Sequence, residues 1–182
     1  SASAAQLGFA CDRDAVREKV SEACAALQPG HEYRMRLSLD ANGDVQLRSA
    51  VVTPLQEPVR LLLSPVVMRS DDLLLGHKTT LRRVYDEAWQ SAEQAGAFDA
   101  LFFNERDELT EGGRSNVLVK LGGRWFTPPL ASGLLPGVMR AVVLEDPAWS
   151  VQQRVVTRAD LQQAEAICVC NALRGVLRAE LA

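Results

Sequence analysis

The sequence has no apolar run near the ~18 residues that a membrane-spanning helix needs, and its first residues do not show the pattern of a signal peptide. Cysteine is scarce as well. Cys11, Cys24, Cys168 and Cys170 have neither the paired spacing of a zinc site nor a small secreted framework around them. These absences argue against a membrane protein, a metal site and a disulfide-rich secreted domain. We therefore expect reduced thiols and a cytoplasmic protein.

The sequence also lacks an excess of positive charge. It has 20 Lys and Arg against 23 Asp and Glu, a formal net charge of −3 and no basic stripe, so it does not show the electrostatic footprint of a nucleic-acid-binding protein. It contains no repeat and no low-complexity tract. Apolar residues at 47% and charged residues at 24% of 182 positions match an ordinary globular protein, long enough for one large core or two small ones.

The first residue is a serine and not a methionine. Residues 1–9 read like the last turns of a helix that ends at Gly8, because glycine is the usual residue just beyond a helix end. This pattern predicts that the chain is the second part of something longer.

The first third of the chain predicts a helix and then a β-hairpin. Asp12 is a candidate N-cap for the helix, which Pro29-Gly30 ends. Apolar and polar residues then alternate over 33–40, and Asn42-Gly43 turns the chain into a second strand. Because such alternation is typical of a half-buried strand, we predict a hairpin with one buried face.

A proline-marked connection over 53–58 is the candidate domain boundary, which predicts domains at 1–57 and 58–182. The pattern beyond it is β-rich with interleaved helices. The predicted elements are strands at 59–68, 98–103, 117–121, 124–127 and 166–170, helices from Leu81, near Val138 and at Thr157, and a tail that is helical or frayed.

Two stretches carry the chemistry, and they centre on Lys78 and Glu111. Lys78 follows a run of leucines, where an ammonium would be costly to bury and desolvation would make the amine more nucleophilic. Glu111 opens a Gly-rich turn, and the 33 positions between the two residues (111 − 78) allow one helix and one strand to bring the chain back. Alone, each residue is normally a solvated surface charge. Together, they are the amine and the carboxylate that a pyridoxal phosphate enzyme needs.

Residues near this pair could serve the same site. Gly112 and Gly113 permit backbone conformations that would let the chain run close under a flat ring. Ser115 and Asn116 either hydrogen-bond a cofactor or hold the turn. The stretch Gly137-Val138-Met139, at a predicted helix start, can offer backbone N–H groups and the positive end of the helix dipole to a phosphate.

Four motifs occur in order: His-Lys-Thr-Thr at 77–80, Thr-Glu-Gly-Gly-Arg-Ser-Asn-Val at 110–117, Thr-Pro-Pro-Leu at 127–130 and Leu-Pro-Gly-Val-Met-Arg at 135–140. They resemble the class IV pyridoxal phosphate enzymes, and within these they look most like the 4-amino-4-deoxychorismate lyases fused behind a para-aminobenzoate synthase component. The resemblance implies an α+β, class IV aminotransferase-like (D-amino acid aminotransferase-like) fold with an incomplete N-terminal portion. It also implies conversion of aminodeoxychorismate into para-aminobenzoate and pyruvate, a step toward folate.

The resemblance also implies roles for individual residues. Lys78 would hold pyridoxal 5'-phosphate covalently and move the protons of the reaction, and Glu111 would pair with the ring nitrogen. The other implied cofactor contacts are Ser115, Asn116, Gly137, Val138, Met139, Asn171 and Ala172. No metal is implied.

Four further charged or titratable residues either have more than one possible role or are not assigned to the site. Arg82 could lie near the ring or the substrate carboxylates if a helix begins there. Arg140 and Arg174 are either phosphate auxiliaries or surface and interface charges. His77 is not assigned to catalysis, because neighbours on a strand point to opposite faces.

Class IV enzymes carry an N-terminal segment with Arg-Gly-Phe and Gly-Asp-Gly motifs that has no match in this sequence. The resemblance further implies a homodimer and a chain fused to, or cleaved from, an upstream synthase domain. Two alternatives stay open. One is a class IV aminotransferase for branched-chain or D-amino acids, and the other is a truncated, cofactor-free domain without catalysis.

Overall fold

The computed structural model describes residues 2–182. The chain divides into two compact units, the first ending at Pro54 and the second beginning at Leu55. This division lies inside the proline-marked connection over 53–58. The first unit contains α1 (Ala2–Gln6), α2 (Arg13–Ala25), β1 (Tyr33–Leu39) and β2 (Val45–Val51).

The helices of the first unit end and begin where local sequence predicts. After α1, Gly8 has a left-handed φ of 70°, and the Phe9 N–H donates to the Ala4 carbonyl at 2.8 Å, which is the usual glycine-terminated helix end. Before α2, the Asp12 carboxylate accepts two backbone N–H groups of the first turn at 2.9 and 3.1 Å. Such an N-cap stabilises a helix by about 1 kcal/mol.

The predicted hairpin is present, but its buried face is not. β1 and β2 pair antiparallel, with Leu37 opposite Leu47. No residue of either strand is buried, and Leu37 and Val51 are 41% and 55% exposed. The alternation is there, but two strands and a limited contact with α2 provide too little cover for one face.

The second unit is built on a mixed sheet, eight-stranded within residues 2–182. Its strands are β3 (Val59–Met68), β4 (Asp99–Asn104), β5 (Leu109–Gly112), β6 (Asn116–Leu121), β7 (Arg124–Thr127), β8 (Gln152–Gln153), β9 (Ala166–Asn171) and β10 (Gly175–Leu181). Its helices are α3 (Arg83–Gln94), α4 (Val138–Glu145) and α5 (Arg158–Gln162), with 3₁₀ turns at Leu73–Gly76 and Leu130–Ser132. None of the helices in the described residues is long and apolar enough to cross a membrane.

The strand order along this sheet is β5-β4-β3-β10-β9-β6-β7-β8. β3 and β4 are parallel and joined through α3, and β4 then pairs antiparallel with β5. Every residue of β4 and β5 is buried. The largest apolar cluster of the unit includes Leu61, Leu101, Phe103, Leu109, Val117 and Val169. Polar side chains in β4 and β5 are therefore held inside the protein.

The C-terminal residues form a strand, so the prediction of a helical or frayed tail is wrong. β10 pairs in parallel with β3, with Ala179 opposite Val59, and antiparallel with β9. The segment is rich in Leu, Arg, Ala and Glu, which are good helix formers. Pairing with two strands decides its structure instead, and one of those strands lies far away in sequence.

Candidate active site

Glu111 lies in β5 with only 3% of its surface exposed. Burial disfavours the charged carboxylate and raises its pKa from the usual 4.5 to about 7. Tyr85, Arg82, the Leu135 backbone and Lys78 act in the opposite direction, in that order of strength. Because burial outweighs all four, the chain keeps a carboxyl group that is near half ionisation at neutral pH.

Tyr85 faces this carboxyl group from the first turn of α3. Its ring packs edge-on against Phe102 with 5.0 Å between the centroids. The hydroxyl and Glu111 interact electrostatically, yet they do not meet hydrogen-bond geometry. Within the described residues, Tyr85 OH and Glu111 Oε1 are both buried without a hydrogen-bond partner. The two groups therefore face each other without a hydrogen bond. Burial also raises the pKa of the Tyr85 hydroxyl.

Asn116 links Glu111 to the loop before α4. Its side-chain amide donates to Glu111 Oε2 at 3.3 Å and to the Leu135 carbonyl at 2.9 Å. On the same side, a Cβ atom on Gly137 would lie only 2.0 Å from Asn116 Oδ1. The glycine is therefore required by a close approach, although its φ of −64° is open to any residue. This contact connects two regions that the sequence assigned to one cofactor.

The start of α4 is a suitable position for an anion. Gly137 is the N-cap and makes no side-chain cap hydrogen bond, so the first backbone N–H groups, at Val138 and Met139, have no helical acceptor. The N–H of Gly137 itself donates to the Leu135 carbonyl at 2.8 Å. Of the three predicted residues, Val138 and Met139 thus have N–H groups suited to an anion, whereas that of Gly137 is already used.

Arg140, in the first turn of α4, is only 5% exposed, so it is not a surface charge. Its guanidinium donates to the Pro128 carbonyl and to Gln153 Oε1, both at 2.9 Å. Its Nε is buried without a hydrogen-bond partner in the described part of the chain. Burial lowers the pKa of Arg140, while Cys170 and Glu111 act to raise it. A buried cation therefore lies at the same helix start, within electrostatic reach of Glu111.

Lys78 lies in a loop after the first 3₁₀ turn and belongs to no helix or strand. Its charge acts to lower the pKa of Glu111, so the two predicted groups do share one region. However, Lys78 is exposed, so the expected desolvation of its amine is not supplied by residues 2–182. His77 also lies in no strand, so the alternation of strand faces that kept it out of the catalytic assignment does not apply at this position.

Arg82 is the N-cap residue of α3 and lies beside the predicted site. Its guanidinium donates to the Gly113 carbonyl at 3.1 Å and stands 4.4 Å above the centre of the Tyr85 ring. Its charge also acts to lower the pKa of Glu111. Arg82 therefore lies near Glu111, and its proximity to a bound ring or to substrate carboxylates stays a prediction.

Ser115 makes a contact that the sequence did not suggest. It is 5% exposed, and its hydroxyl donates to Asp99 Oδ2 at 2.6 Å. Asp99 is fully buried at the start of β4. The sequence signal for Asp99 is an aspartate next to the apolar run 100–103. Of the two roles open to Ser115, the structure therefore supports holding the turn.

Asn171 and Ala172 begin the turn between β9 and β10. Asn171 Oδ1 accepts the N–H groups of Leu173 and Arg174 at 3.0 and 2.9 Å, and its amide donates to the Arg114 carbonyl at 3.2 Å. Ala172 is exposed. The turn is thus built by its own asparagine and tied to the Gly-rich turn after Glu111.

The second unit of this α+β fold thus holds an amine-bearing loop, a buried carboxyl group and a helix start suited to an anion. Residues 1–181 match the family described as amino-transferase class IV, and the chain belongs to this family. The predictions of the family and of its α+β fold are therefore confirmed.

Two curated relatives carry lyase names. A Schizosaccharomyces pombe protein, provisionally named as an aminodeoxychorismate lyase, is 29% identical over 187 residues, with 99% of this chain and 79% of that protein covered. The aminodeoxychorismate lyase of Vibrio harveyi is 34% identical over 109 residues, with 57% of this chain and 40% of that protein covered.

Similar solved structures include proteins named as aminotransferases and proteins named as lyases. A Mesorhizobium loti protein, provisionally named as an amino-acid aminotransferase, superposes with a TM-score of 0.89 at 37% identity, with 100% of this chain and 87% of that chain covered. A Legionella pneumophila protein, provisionally named as a 4-amino-4-deoxychorismate lyase, has a TM-score of 0.79 at 24% identity, with 98% and 73% covered. The second likeness shows the fold alone.

Proposed function

We propose that this chain is a pyridoxal-phosphate-dependent lyase that converts 4-amino-4-deoxychorismate into para-aminobenzoate and pyruvate. The observation that carries the proposal is the environment of Glu111. This buried carboxyl group has one oxygen without a hydrogen-bond partner in residues 2–182, and the charge of Lys78 acts to lower its pKa. The lyase names of two curated relatives support the choice of reaction.

The described residues fit pyridoxal phosphate. The free Oε1 of Glu111 is an acceptor for the N–H of a protonated pyridine ring. The start of α4 offers the N–H groups of Val138 and Met139 to a phosphate, and buried Arg140 adds positive charge there. Lys78 is exposed and therefore accessible to an aldehyde. The pyridine-binding and phosphate-binding ends of the proposed site are connected through Asn116.

When bound, the cofactor supplies an electron sink for the carbon that bears the substrate amine. Lys78 Nζ takes the proton from that carbon, acting as a general base. The enolpyruvyl group then leaves with the electron pair of its C–O bond, and the six-membered carbon ring of the substrate becomes aromatic. Lys78 returns a proton to the departing enolpyruvyl group, which gives pyruvate. Glu111, as a carboxylate, balances the positive charge of the ring nitrogen. Arg82 is placed to attract the substrate carboxylates.

The first test uses the few lysines of the chain, Lys19, Lys78 and Lys120. Purified protein is mixed with pyridoxal phosphate, the visible absorption spectrum is recorded, and borohydride reduction is followed by peptide mapping. We expect a visible band and an adduct on Lys78, both absent in Lys78→Ala and both retained in the control variant Lys120→Ala. If the wild-type chain gives no band at saturating cofactor, the cofactor-free alternative is correct for this form.

An aminotransferase of the same family is the second candidate, because the Mesorhizobium loti protein at 37% identity bears an aminotransferase name. A product assay separates the two. The lyase releases para-aminobenzoate and pyruvate from aminodeoxychorismate without an acceptor, whereas the aminotransferase needs a keto acid and returns an amino acid. Keto acid exchange without pyruvate release would show that the lyase proposal is wrong.

The homodimer, the upstream synthase domain and the cytoplasmic location stay predictions. Sedimentation of the purified chain tests the first of these directly. Large exposed apolar side chains on the second unit, including Val67, Leu73 and Leu81 at 61%, 87% and 75% exposure, support association with another surface.

A further inference from the structure

Asp99 is a fully buried carboxylate with backbone and side-chain donors around it. Its Oδ1 accepts the N–H of Ala100 at 2.9 Å. Its Oδ2 accepts the N–H of Arg114 at 3.1 Å and the hydroxyl of Ser115 at 2.6 Å. Burial raises the pKa of Asp99, and these hydrogen bonds act to lower it. Both donors of the Gly-rich turn thus meet at one oxygen.

The Gly-rich turn is shaped around this carboxylate. A Cβ atom on Gly112 would lie 2.4 Å from Asp99 Oδ2, and one on Gly113 would lie 3.0 Å from Asp99 Oδ1. The turn closes on itself through a hydrogen bond from the Gly112 N–H to the Ser115 carbonyl at 2.7 Å. Gly112 therefore leaves room for Asp99. Gly113 leaves room for Asp99 and for the Tyr85 carbonyl, which a Cβ atom would also approach to 3.0 Å.

The turn connects directly to the residues proposed to hold the cofactor. Glu111 precedes it and Asn116 follows it, so its backbone sets where both side chains begin. On its far side, the Arg114 carbonyl accepts the Asn171 amide at 3.2 Å. Arg114 thus donates its N–H to Asp99, and its carbonyl accepts a hydrogen bond from the turn before β10.

We propose that Asp99 is a positioning residue, which orders the turn at 112–115 and thereby fixes Glu111 on one side and the turn at 171–174 on the other. The effect on the turn follows from the structure of the chain alone. The consequence for pyridoxal phosphate rests on the function proposed above.

The test compares Asp99→Ala, Asp99→Asn and Asp160→Ala. Asparagine keeps one oxygen, which can take the place of Oδ2 and accept both turn donors, while its amide nitrogen replaces Oδ1 and places a donor opposite the Ala100 N–H. Asp160 is the control, because it caps α5 through Thr157 and lies outside the site, so its removal costs about 1 kcal/mol of stability by loss of a cap.

The first readout is amide hydrogen exchange without cofactor. In Asp99→Ala we expect exchange to rise about tenfold or more over 111–116 and 171–174, because buried donors lose their acceptor. Exchange over 33–51 stays at the wild-type rate. Asp99→Asn stays within about threefold of wild type. Asp160→Ala changes exchange only around α5.

The second readout is the dissociation constant of pyridoxal phosphate, measured by titration well below the unfolding temperature. We expect it to rise about tenfold in Asp99→Ala, which corresponds to ~1.4 kcal/mol, and to be restored by Asp99→Asn. If Asp99→Ala lowers the melting temperature but leaves both the exchange pattern and the dissociation constant as in the control, Asp99 only adds stability and the proposal is wrong.

The two proposals fail in different ways. A wild-type chain that binds no cofactor refutes the proposed function, while the exchange measurement still decides the role of Asp99. If Asp99→Ala does not fold, Ser115→Ala replaces it, because this variant removes one of the two donors at Oδ2. It should raise exchange in the same two segments by a smaller factor, and unchanged exchange there would overturn the proposal.

Discussion

Glu111→Gln should stabilise the cofactor-free chain above neutral pH and leave it nearly unchanged at pH 4.5. The folded protein raises the pKa of Glu111 from 4.5 to about 7, so between these values it binds more protons than the unfolded chain. Wild-type stability from this group is therefore complete below pH 4.5 and is lost as the pH rises through 7. At ~1.4 kcal/mol per pKa unit, the loss is about 3 kcal/mol. Glutamine has no charge to bury, so the variant does not lose this stability as the pH rises.

The assay is urea unfolding of the cofactor-free wild type and Glu111→Gln across pH 4.5 to 8.5, with Glu93→Gln as the control. Glu93 is exposed on α3, so its variant should follow the wild-type pH dependence. We expect the gain from Glu111→Gln to grow with pH to about 3 kcal/mol. A difference that is the same at pH 4.5 and 8.5 would refute the reasoning, because it would mean that no buried charge is formed.

Two further predictions concern neighbouring positions. Glu108 accepts hydrogen bonds from Arg106, Asn104 and Ser132, and the Arg106 hydrogen bond is the main reason that its pKa falls to about 2. The stabilisation by ionised Glu108 is therefore present above pH 4.5 and lost as the pH falls through 2. Glu108→Gln should lower the free energy of unfolding by about 3 kcal/mol at pH 7 and by less at acid pH. Gly137→Ala should lower stability by about 1–3 kcal/mol, because its methyl group would displace Asn116. Gly76→Ala, which meets no atom within 4 Å, is the control, and equal melting temperatures would contradict the prediction.

Features set by a few adjacent residues were predictable from the sequence. The cap at Asp12, the hairpin turn at Asn42-Gly43 and the helix start at Thr157 all occur as predicted. Local hydrogen bonds and backbone preferences decide these features, so a short window contains the information. The last strand, β10, was not predictable in this way, since its residues suit a helix and it is a strand only because β3 and β9 flank it.

The candidate site shows the same limit. The pairing of Lys78 with Glu111 could be inferred from motif order, and the structure places their charges within reach of each other. The role of Asp99 could not, because its hydrogen-bonding side chain, Ser115, lies 16 positions away in sequence. The burial of Arg140 was equally hidden, since its acceptors, the Pro128 carbonyl and Gln153, come from separate loops and strands. Polar groups inside a fold are paired by three-dimensional arrangement and not by local pattern.

The placement of unsatisfied polar atoms is itself an argument about function. Within residues 2–182, Glu111 Oε1, Tyr85 OH and Arg140 Nε are buried without hydrogen-bond partners, and each such atom costs about 1–3 kcal/mol. Native proteins keep few of them. Glu111 interacts electrostatically with both Tyr85 and Arg140, so these three groups belong to one region of the second unit. A ligand with a cationic ring N–H at one end and a phosphate at the other would satisfy Glu111 and bring a negative charge to Arg140. We infer that the chain tolerates the cost at Glu111 because binding such a ligand removes it.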